Sequence, residues 1–156
     1  MSLELTLPMQ LTTSAVEQTE AFGAALANHL LQNTAMPRYI ALRGDLGVGK
    51  TAFIRGFASV AAPGSAVRSP TFALVNEYRS KGAHTPVFHF DMYRITDEDD
   101  LYSIGYYDYL DRGICLVEWS ENIPYALPEQ YLVLTIEKDD PEQPDHRLLT
   151  LRAVCD

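Results

Sequence analysis

A three-layer α/β fold, with helices on both faces of a mixed, mainly parallel sheet, is predicted for this chain of 156 residues. Short apolar runs of strand length alternate with segments of helical apolar spacing, a pattern typical of α/β proteins. The run at 114–117 is continuously apolar, as in strands covered on both faces, whereas 72–78 and 87–91 indicate a hairpin closed by the polar stretch 80–84. We therefore expect parallel strands in the middle of the sheet and antiparallel additions beside them.

Local patterns predict the remaining elements. The segment from Ser14 to Glu17 fits a capping box and predicts a first helix of about four turns. The acidic run 97–100 suits the first turn of a short helix, because a helix N-terminus is favourable for negative charge. The other predicted elements are a strand at 39–42, a helix from Lys50 to a stop at 62–65, and closing strands at 131–137 and 147–154 joined by an acidic loop at 138–146.

Residues 44–51 read GDLGVGKT and match the phosphate-binding pattern G-x-x-x-x-G-K-[ST], between a strand candidate and a helix candidate. The glycines allow backbone N–H groups to approach phosphate oxygens, and the N-terminus of the following helix faces the same negative charge. The loop residues expected to bind the nucleotide are Asp45, Leu46, Gly47, Val48, Gly49, Lys50 and Thr51. The pattern predicts a P-loop NTPase-like fold that binds a nucleoside triphosphate.

Four side chains are candidates for chemistry at this loop. Lys50 adds a positive charge at the phosphates, and Thr51 offers a hydroxyl to magnesium, a cation that prefers hard oxygen ligands. Glu118 follows four apolar residues and is expected to be the second metal ligand. Asp91 also ends an apolar run and is expected to position the attacking water or to lie behind the metal. For both acids the alternative is a solvated carboxylate at a strand end.

Three further features have two interpretations each. Thr71, which follows Ser69 and Pro70, is either a switch threonine near the terminal phosphate or part of a turn that opens a strand. His89 is either a satisfied histidine of the sheet, which we favour, or a polar group that faces the ligand. The tyrosines at 102–109 form either an amphipathic face or a surface that docks another protein.

Composition limits the classes of partner. Twelve basic and twenty-one acidic residues give a net charge of −9, which opposes independent binding to a nucleic acid. No segment approaches the about 20 apolar residues of a membrane span, and no secretory signal is visible. We expect one cytoplasmic domain over residues 1–156. Cys115 and Cys155 lack the spacing of a metal site or a disulfide framework.

Four motifs together resemble those of the bacterial TsaE (YjeE) family, the ATPase subunit of tRNA threonylcarbamoyladenosine biosynthesis. They are the loop at 44–51, Ser69-Pro70-Thr71-Phe72, His89-Phe90-Asp91-Met92-Tyr93-Arg94 and Val117-Glu118-Trp119, in the order and spacing of that family. The resemblance implies ATP, converted to ADP, as nucleotide and Mg²⁺ as cofactor. It assigns Lys50 and Thr51 to the loop, Thr71 and Asp91 to the neighbourhood of the terminal phosphate, and Glu118 to the metal.

The resemblance also implies partner proteins. TsaD and TsaB transfer a threonylcarbamoyl group to the adenosine beside the anticodon of certain tRNAs, and the ATPase would drive their turnover, reaching tRNA only through them. In family members the adenine lies near the first helix and the strand before it. Candidate contacts here are Thr12, Thr13 and Thr19, with Arg147 as a further residue near the nucleotide.

Two other functions use the same loop. A small-molecule kinase positions ATP in the same way but usually carries a lid with arginines, and no arginine-rich insertion is visible in this sequence. A GTPase would need a basis for guanine recognition, and the sequence N-K-x-D does not occur in the chain. The kinase is the alternative that the sequence leaves open.

Overall fold

The computed structural model describes residues 6–45, 47–70, 74–79 and 85–155. Its strands are β1 (Met9–Thr13), β2 (Tyr39–Arg43), β3 (Val75–Tyr78), β4 (Val87–Asp91), β5 (Ile114–Glu118), β6 (Gln130–Asp140) and β7 (Gln143–Cys155). Its helices are α1 (Val16–Gln32), α2 (Lys50–Ala61), α3 (Glu98–Ser103) and α4 (Tyr106–Tyr109), with 3₁₀ turns at Ser120–Asn122 and Pro124–Ala126. Within the described ranges, no helix is long and apolar enough to cross a membrane.

The described strands form one sheet in the order β1-β7-β6-β2-β5-β4-β3. The four central strands β6, β2, β5 and β4 are parallel, whereas β7, β1 and β3 each pair antiparallel with a neighbour. The predicted mixed, mainly parallel sheet is confirmed. The predicted hairpin is also confirmed as the pair β3–β4, although its connection at 80–84 lies outside the described residues.

Two helical layers cover the sheet. Helices α1 and α2 pack on one face over a core of aliphatic residues and phenylalanines, and α3 and α4 lie on the other face over a core rich in tyrosine. The first two helices approach closely at Gly23 and Gly56, where an added Cβ would lie 2.2 Å from the Phe53 carbonyl oxygen and 1.9 Å from that of Glu20. This close approach holds α2, and the loop before it, against the sheet.

Three local predictions need correction. The capping box is wrong, because α1 begins after Ala15 and the backbone N–H of Ser14 donates to Gln18 Oε1 at 2.6 Å rather than to Glu17. The loop predicted at 138–146 is wrong, because β6 and β7 continue through most of it as an exposed hairpin with a register shift near Asp140. Strand β1 is missing from the elements that local patterns predict, although the family resemblance implies a strand before the first helix; β1 pairs with β7, which lies at the opposite end of the chain. Cross-strand pairing overrides weak local propensity in both β cases.

Candidate nucleotide site

The candidate site lies at the carboxyl ends of the parallel strands. Asp91 and Glu118 end β4 and β5 and are paired residues in the register of these two strands, while the segment between β2 and α2 is the P-loop. Ligands of open α/β sheets bind in the crevice outside these strand ends. A cavity of about 500 Å³ there is lined by Gly47, Gly49, Lys50, Thr51, Ser69, Asp91, Tyr93, Glu118 and Trp119. The fold therefore brings the predicted loop and both predicted carboxylates to one cavity.

A second cavity, of about 490 Å³, lies beside the edge strand β3 and is lined by residues of 65–68 and 76–79. It contains none of the sequence-predicted site residues. We assign the candidate site to the first cavity, because a phosphate needs the loop backbone and a helix N-terminus, and only α2 presents both among the described residues.

The backbone of the loop has the conformation that its glycines allow. Gly44, Gly47 and Gly49 have φ values of 143°, 74° and 122°, which residues with a Cβ rarely adopt. A Cβ at Gly47 would meet no atom within 4 Å, and one at Gly49 would meet only a methyl group of Ile136 at 3.9 Å. The backbone at Gly47 and Gly49 therefore borders open space, as a phosphate cradle requires, whereas Gly44 packs closely against the Ile136 carbonyl oxygen. Leu46 lies outside the described residues.

The Lys50 side chain lies in the wall of this cavity and is only 6% exposed. Its ammonium group donates to the Gly44 carbonyl oxygen at 2.9 Å and lies 3.7 Å from Glu118 Oε1. It is also 5.6 Å from the centre of the Trp119 ring. A buried ammonium needs such partners, because desolvation disfavours its charged form. The positive charge is thus held in place between the loop and the strand-end carboxylate.

Glu118 makes a second contact through its other oxygen. Its Oε2 is 2.6 Å from His89 Nε2, and the opposite ring nitrogen, Nδ1, lies 2.9 Å from the Tyr78 hydroxyl. The sequence interpretation favoured a histidine of the sheet over one facing the ligand. His89 is in fact buried within the sheet and also contacts the candidate metal ligand. Tyr78 has no motif of its own; the available signal was its position diagonal to His89 in the predicted hairpin.

Asp91 is half-buried beside Glu118. Burial raises the pKa of the Asp91 carboxyl above its ordinary value; the backbone N–H of Tyr93, which donates to Oδ1 at 3.0 Å, lowers it, and the charge of Glu118 raises it again. The pKa remains raised in total. A carboxylate with a raised pKa is a better proton acceptor, which suits a group that orients a water molecule.

The donor set fits magnesium bound together with a phosphate. Thr51 is exposed on the first turn of α2, and Glu118 supplies one carboxylate on the facing wall of the cavity. Within the described ranges, no group of three His, Cys, Asp or Glu side chains could hold a metal by itself. Magnesium usually binds through one or two carboxylates, waters and substrate phosphates rather than in an all-protein cage. Thr51 and Glu118 are therefore the residues that would hold it.

The predicted adenine contacts lie near the opposite side of the loop. Thr13 and Thr19 are buried, and their hydroxyl oxygens are 2.9 Å apart, whereas Thr12 is exposed on β1. Thr19 lines a small cavity of about 100 Å³ with residues that include Val48 and Arg147. The Thr13 hydroxyl is therefore already hydrogen-bonded within the fold, and Thr19 is the predicted threonine that borders the loop.

Arg147 and Asp45 make the two remaining contacts of the loop. Arg147 Nε donates to the Val48 carbonyl oxygen at 2.6 Å, and the guanidinium also donates to carbonyl oxygens of its own strand, so this side chain braces the loop from β7. Asp45 is exposed beside a cavity of about 410 Å³ next to β6, and its carbonyl oxygen accepts the Val48 N–H at 3.3 Å. Thr71 lies outside the described residues.

Comparisons with known proteins agree with this architecture. The family model described as "Threonylcarbamoyl adenosine biosynthesis protein TsaE" matches residues 13–148. The tRNA threonylcarbamoyladenosine biosynthesis protein TsaE of Haemophilus influenzae is 39% identical over 121 residues, covering 76% of this chain and 75% of that protein. The protein of the same name from Rickettsia bellii is 31% identical over 138 residues, covering 88% of this chain and 92% of its own.

A solved structure extends the likeness to the fold. The crystal structure of Bacillus subtilis YdiB superposes with a TM-score of 0.69 at 28% sequence identity, covering 99% of this chain and 90% of that one. The range matched by the family model, residues 13–148, spans the P-loop motif, both strand-end carboxylates and the strands that carry them. This chain belongs to the TsaE family of threonylcarbamoyl adenosine biosynthesis proteins.

Proposed function

We propose that this protein is a single-domain, magnesium-dependent P-loop ATPase that supports tRNA threonylcarbamoyladenosine formation. One observation carries the proposal: the glycine-rich loop, Lys50 and two strand-end carboxylates converge on a single cavity of about 500 Å³. Family membership supports the biosynthetic role, since the related proteins are named for it. ATP is the nucleotide implied by the family motifs.

Each side chain has a role that follows from its position. The loop backbone and the α2 N-terminus would bind the phosphates, and Lys50 would exchange the Gly44 carbonyl oxygen for a phosphate oxygen. Thr51 and Glu118 would hold magnesium, which neutralises charge on the phosphates when it is bound. Asp91, half-buried and with a raised pKa, would accept a hydrogen bond from the attacking water.

The protein alone is expected to turn over slowly. Among the described residues that line the cavity, Lys50 is the single cation. An arginine finger supplied by a partner accelerates related P-loop enzymes by about 10³–10⁵-fold. We propose that TsaB and TsaD complete the site. The ATPase then drives the turnover of these partners rather than transferring the threonylcarbamoyl group itself.

Phosphate release tests this proposal. Inorganic phosphate should appear slowly with ATP and magnesium, more slowly still with GTP, and faster when purified TsaB and TsaD are added. EDTA should abolish the signal, because magnesium neutralises the phosphate charge. A rate that stays flat on addition of both partners would contradict the activation. Transfer of the phosphoryl group to an added small molecule, without free phosphate, would instead support a kinase.

Binding to tRNA is expected to be indirect. The net charge of −9 repels a polyanion, and twelve basic residues leave little surface with which to neutralise several phosphates. A gel-shift titration at physiological salt should show little binding by the protein alone and a shift only with TsaD present. Tight, salt-sensitive binding without partners would contradict this expectation.

A further inference from the structure

A continuous chain of hydrogen bonds, buried at its centre, runs along one wall of the candidate site. It begins at the backbone of Arg68, whose N–H donates to the Tyr78 hydroxyl oxygen over 3.3 Å and whose carbonyl oxygen lies 2.9 Å from the same hydroxyl oxygen. It continues from Tyr78 to His89 Nδ1 at 2.9 Å, and from His89 Nε2 to Glu118 Oε2 at 2.6 Å. Tyr78 is 3% and His89 1% exposed, so the bond between these two side chains is shielded from water.

The directions of these bonds follow from the acceptors at the ends of the chain. An ionised carboxylate only accepts, so His89 Nε2 must carry a proton and donate it to Glu118. A neutral imidazole then has a lone pair on Nδ1, which accepts the single hydroxyl proton of Tyr78. In that arrangement the Tyr78 proton is not shared with the Arg68 carbonyl oxygen, which accepts from Asn76 Nδ2 at 2.8 Å instead, and the Arg68 N–H still donates to the Tyr78 oxygen. All the polar groups are thus satisfied with His89 as the Nε2–H tautomer.

Strand geometry makes this contact specific. His89 pairs with Leu116 in the parallel register, so Glu118 lies two residues further along the neighbouring strand and on the same face of the sheet. This face packs against α1 and α2, and its other described core residues on β4 and β5 include Val87, Ile114 and Leu116. A histidine in such an apolar layer is costly unless both ring nitrogens are bonded. Both are bonded here, and one bond ends at the carboxylate on the cavity wall.

We propose that His89 is a positioning residue for Glu118 and that Tyr78 fixes the His89 tautomer, tying Glu118 to the segment that contains Arg68. With Oε2 held by His89, Glu118 presents Oε1 to the cavity, on the side where Lys50 lies. Ser69 follows Arg68 and also lines the cavity, so the chain of bonds joins two walls of the same site. This inference rests on the proposed magnesium–nucleotide function, because it assigns the groups that aim the metal-binding oxygen.

Two variants at position 89 distinguish the roles of the two ring nitrogens of His89. The amide nitrogen of His89→Gln is as many bonds from Cα as Nε2, so it can still donate to Glu118. The amide nitrogen of His89→Asn corresponds to Nδ1 and reaches only toward Tyr78. Loss of a hydrogen-bond partner of a metal ligand typically weakens metal binding or activity by about 10–100-fold. If His89 served only to fill the core, the two variants would differ in stability according to how well they pack, but they would not differ in their magnesium requirement.

The readout is the fluorescence of Trp119, which lines the cavity and is the one tryptophan of the chain. The signal is followed while magnesium chloride is titrated in the presence of a non-hydrolysable ATP analogue. His89→Gln should stay within about threefold of the unsubstituted protein in half-saturating magnesium, whereas His89→Asn should require about tenfold more or higher. Thermal unfolding of both variants confirms that they are folded. Equal magnesium requirements for two folded variants would overturn the positioning role.

A second measurement needs no nucleotide. Long-range ¹H–¹⁵N spectra identify which ring nitrogen carries the proton, and the chain has four histidines, so the His89 signals are those that vanish in His89→Gln. The Nε2–H tautomer is expected, and Tyr78→Phe should shift the Nδ1 resonance. A proton on Nδ1 alone would overturn the proposed chain. If the unsubstituted protein binds no nucleotide, the proposed function fails, and these spectra still decide whether His89 donates to Glu118.

Discussion

Each face of the sheet has a buried hydrogen-bond network that contains tyrosine, but the two networks end at different groups. On the face covered by α1 and α2, Tyr78 connects through His89 to Glu118 at the cavity. On the face covered by α3 and α4, the Tyr106 hydroxyl donates to the Ala126 carbonyl oxygen at 2.9 Å and lies 2.9 Å from the Tyr39 hydroxyl. The first network ends at charged groups beside open space, and the second ends at the backbone inside the core.

The protonation of the second network is determined by burial. Burial raises the pKa of both Tyr39 and Tyr106 well above the ordinary tyrosine value, so both hydroxyls stay protonated. Because Tyr106 donates its proton to Ala126, Tyr39 must donate to Tyr106. Every hydroxyl proton therefore has an acceptor within the core. The α1–α2 face is therefore the one whose buried network reaches the candidate site, because α2 begins there, next to the strand-end acids.

The close contact between α1 and α2 gives the largest expected effect on stability. Gly56→Ala would place a Cβ 1.9 Å from the Glu20 carbonyl oxygen, and a backbone atom cannot move aside as a side chain does. We expect a loss of about 3 kcal/mol in unfolding free energy, at the upper end for overpacking. Chemical denaturation measures it. Ser103→Ala on exposed α3 is the control and should stay within about 0.5 kcal/mol; a comparable loss there would mean that the helix contact is not special.

Removal of the Lys50 charge is expected to affect ligand binding on the same face. Lys50→Ala deletes a charge-assisted contact worth roughly 1.5–3 kcal/mol, so affinity for ATP should fall by about one to two orders of magnitude. Titration calorimetry gives the affinity directly. Arg152→Ala, at an exposed position of β7 that does not line the candidate cavity, also removes one positive charge and should bind ATP normally. Unchanged affinity in a folded Lys50→Ala variant would remove Lys50 from the site.

The two strand-end acids should differ from each other. Glu118→Gln removes a metal-ligand charge and is expected to weaken magnesium-dependent ATP binding by about tenfold, or about 1.4 kcal/mol. Asp91→Asn should keep ATP binding close to that of the unsubstituted protein and slow hydrolysis more, because it changes the group proposed to orient the attacking water. Magnesium titrations and single-turnover phosphate release, run on both variants, separate the two effects. The opposite ranking would show that the roles are exchanged.

The smallest expected effect lies on the α3–α4 face. Tyr106→Phe removes the donor to Ala126 and should lower the unfolding free energy by about 1 kcal/mol while leaving ATP affinity unchanged. Tyr78→Phe is its counterpart on the other face and should alter magnesium dependence as well as stability. Denaturation curves and magnesium titrations of both variants make the comparison. A change in nucleotide binding by Tyr106→Phe would break the distinction between the two faces.

The sequence alone predicted the parts of the candidate site that lie close together along the chain. The P-loop motif is one octapeptide whose glycines, lysine and threonine are contiguous, so the pattern is recognisable without knowledge of the fold. The apolar runs that end at Asp91 and Glu118 predicted two strand ends, and the parallel sheet brings those ends together. The mixed sheet with its β3–β4 hairpin was likewise predictable from local periodicity.

Only the tertiary structure decided which distant side chains meet. The contact between His89 and Glu118 joins residues 29 positions apart, and the one between Arg147 and Val48 joins residues 99 positions apart; both depend on strand register. Strand β1 and the outer part of the β6–β7 hairpin form through pairing rather than through local propensity. Periodicity reports how a segment can bury one face, whereas register and strand order follow from the packing of the whole chain. Register and strand order place Tyr78 and His89 behind the strand ends that line the candidate site.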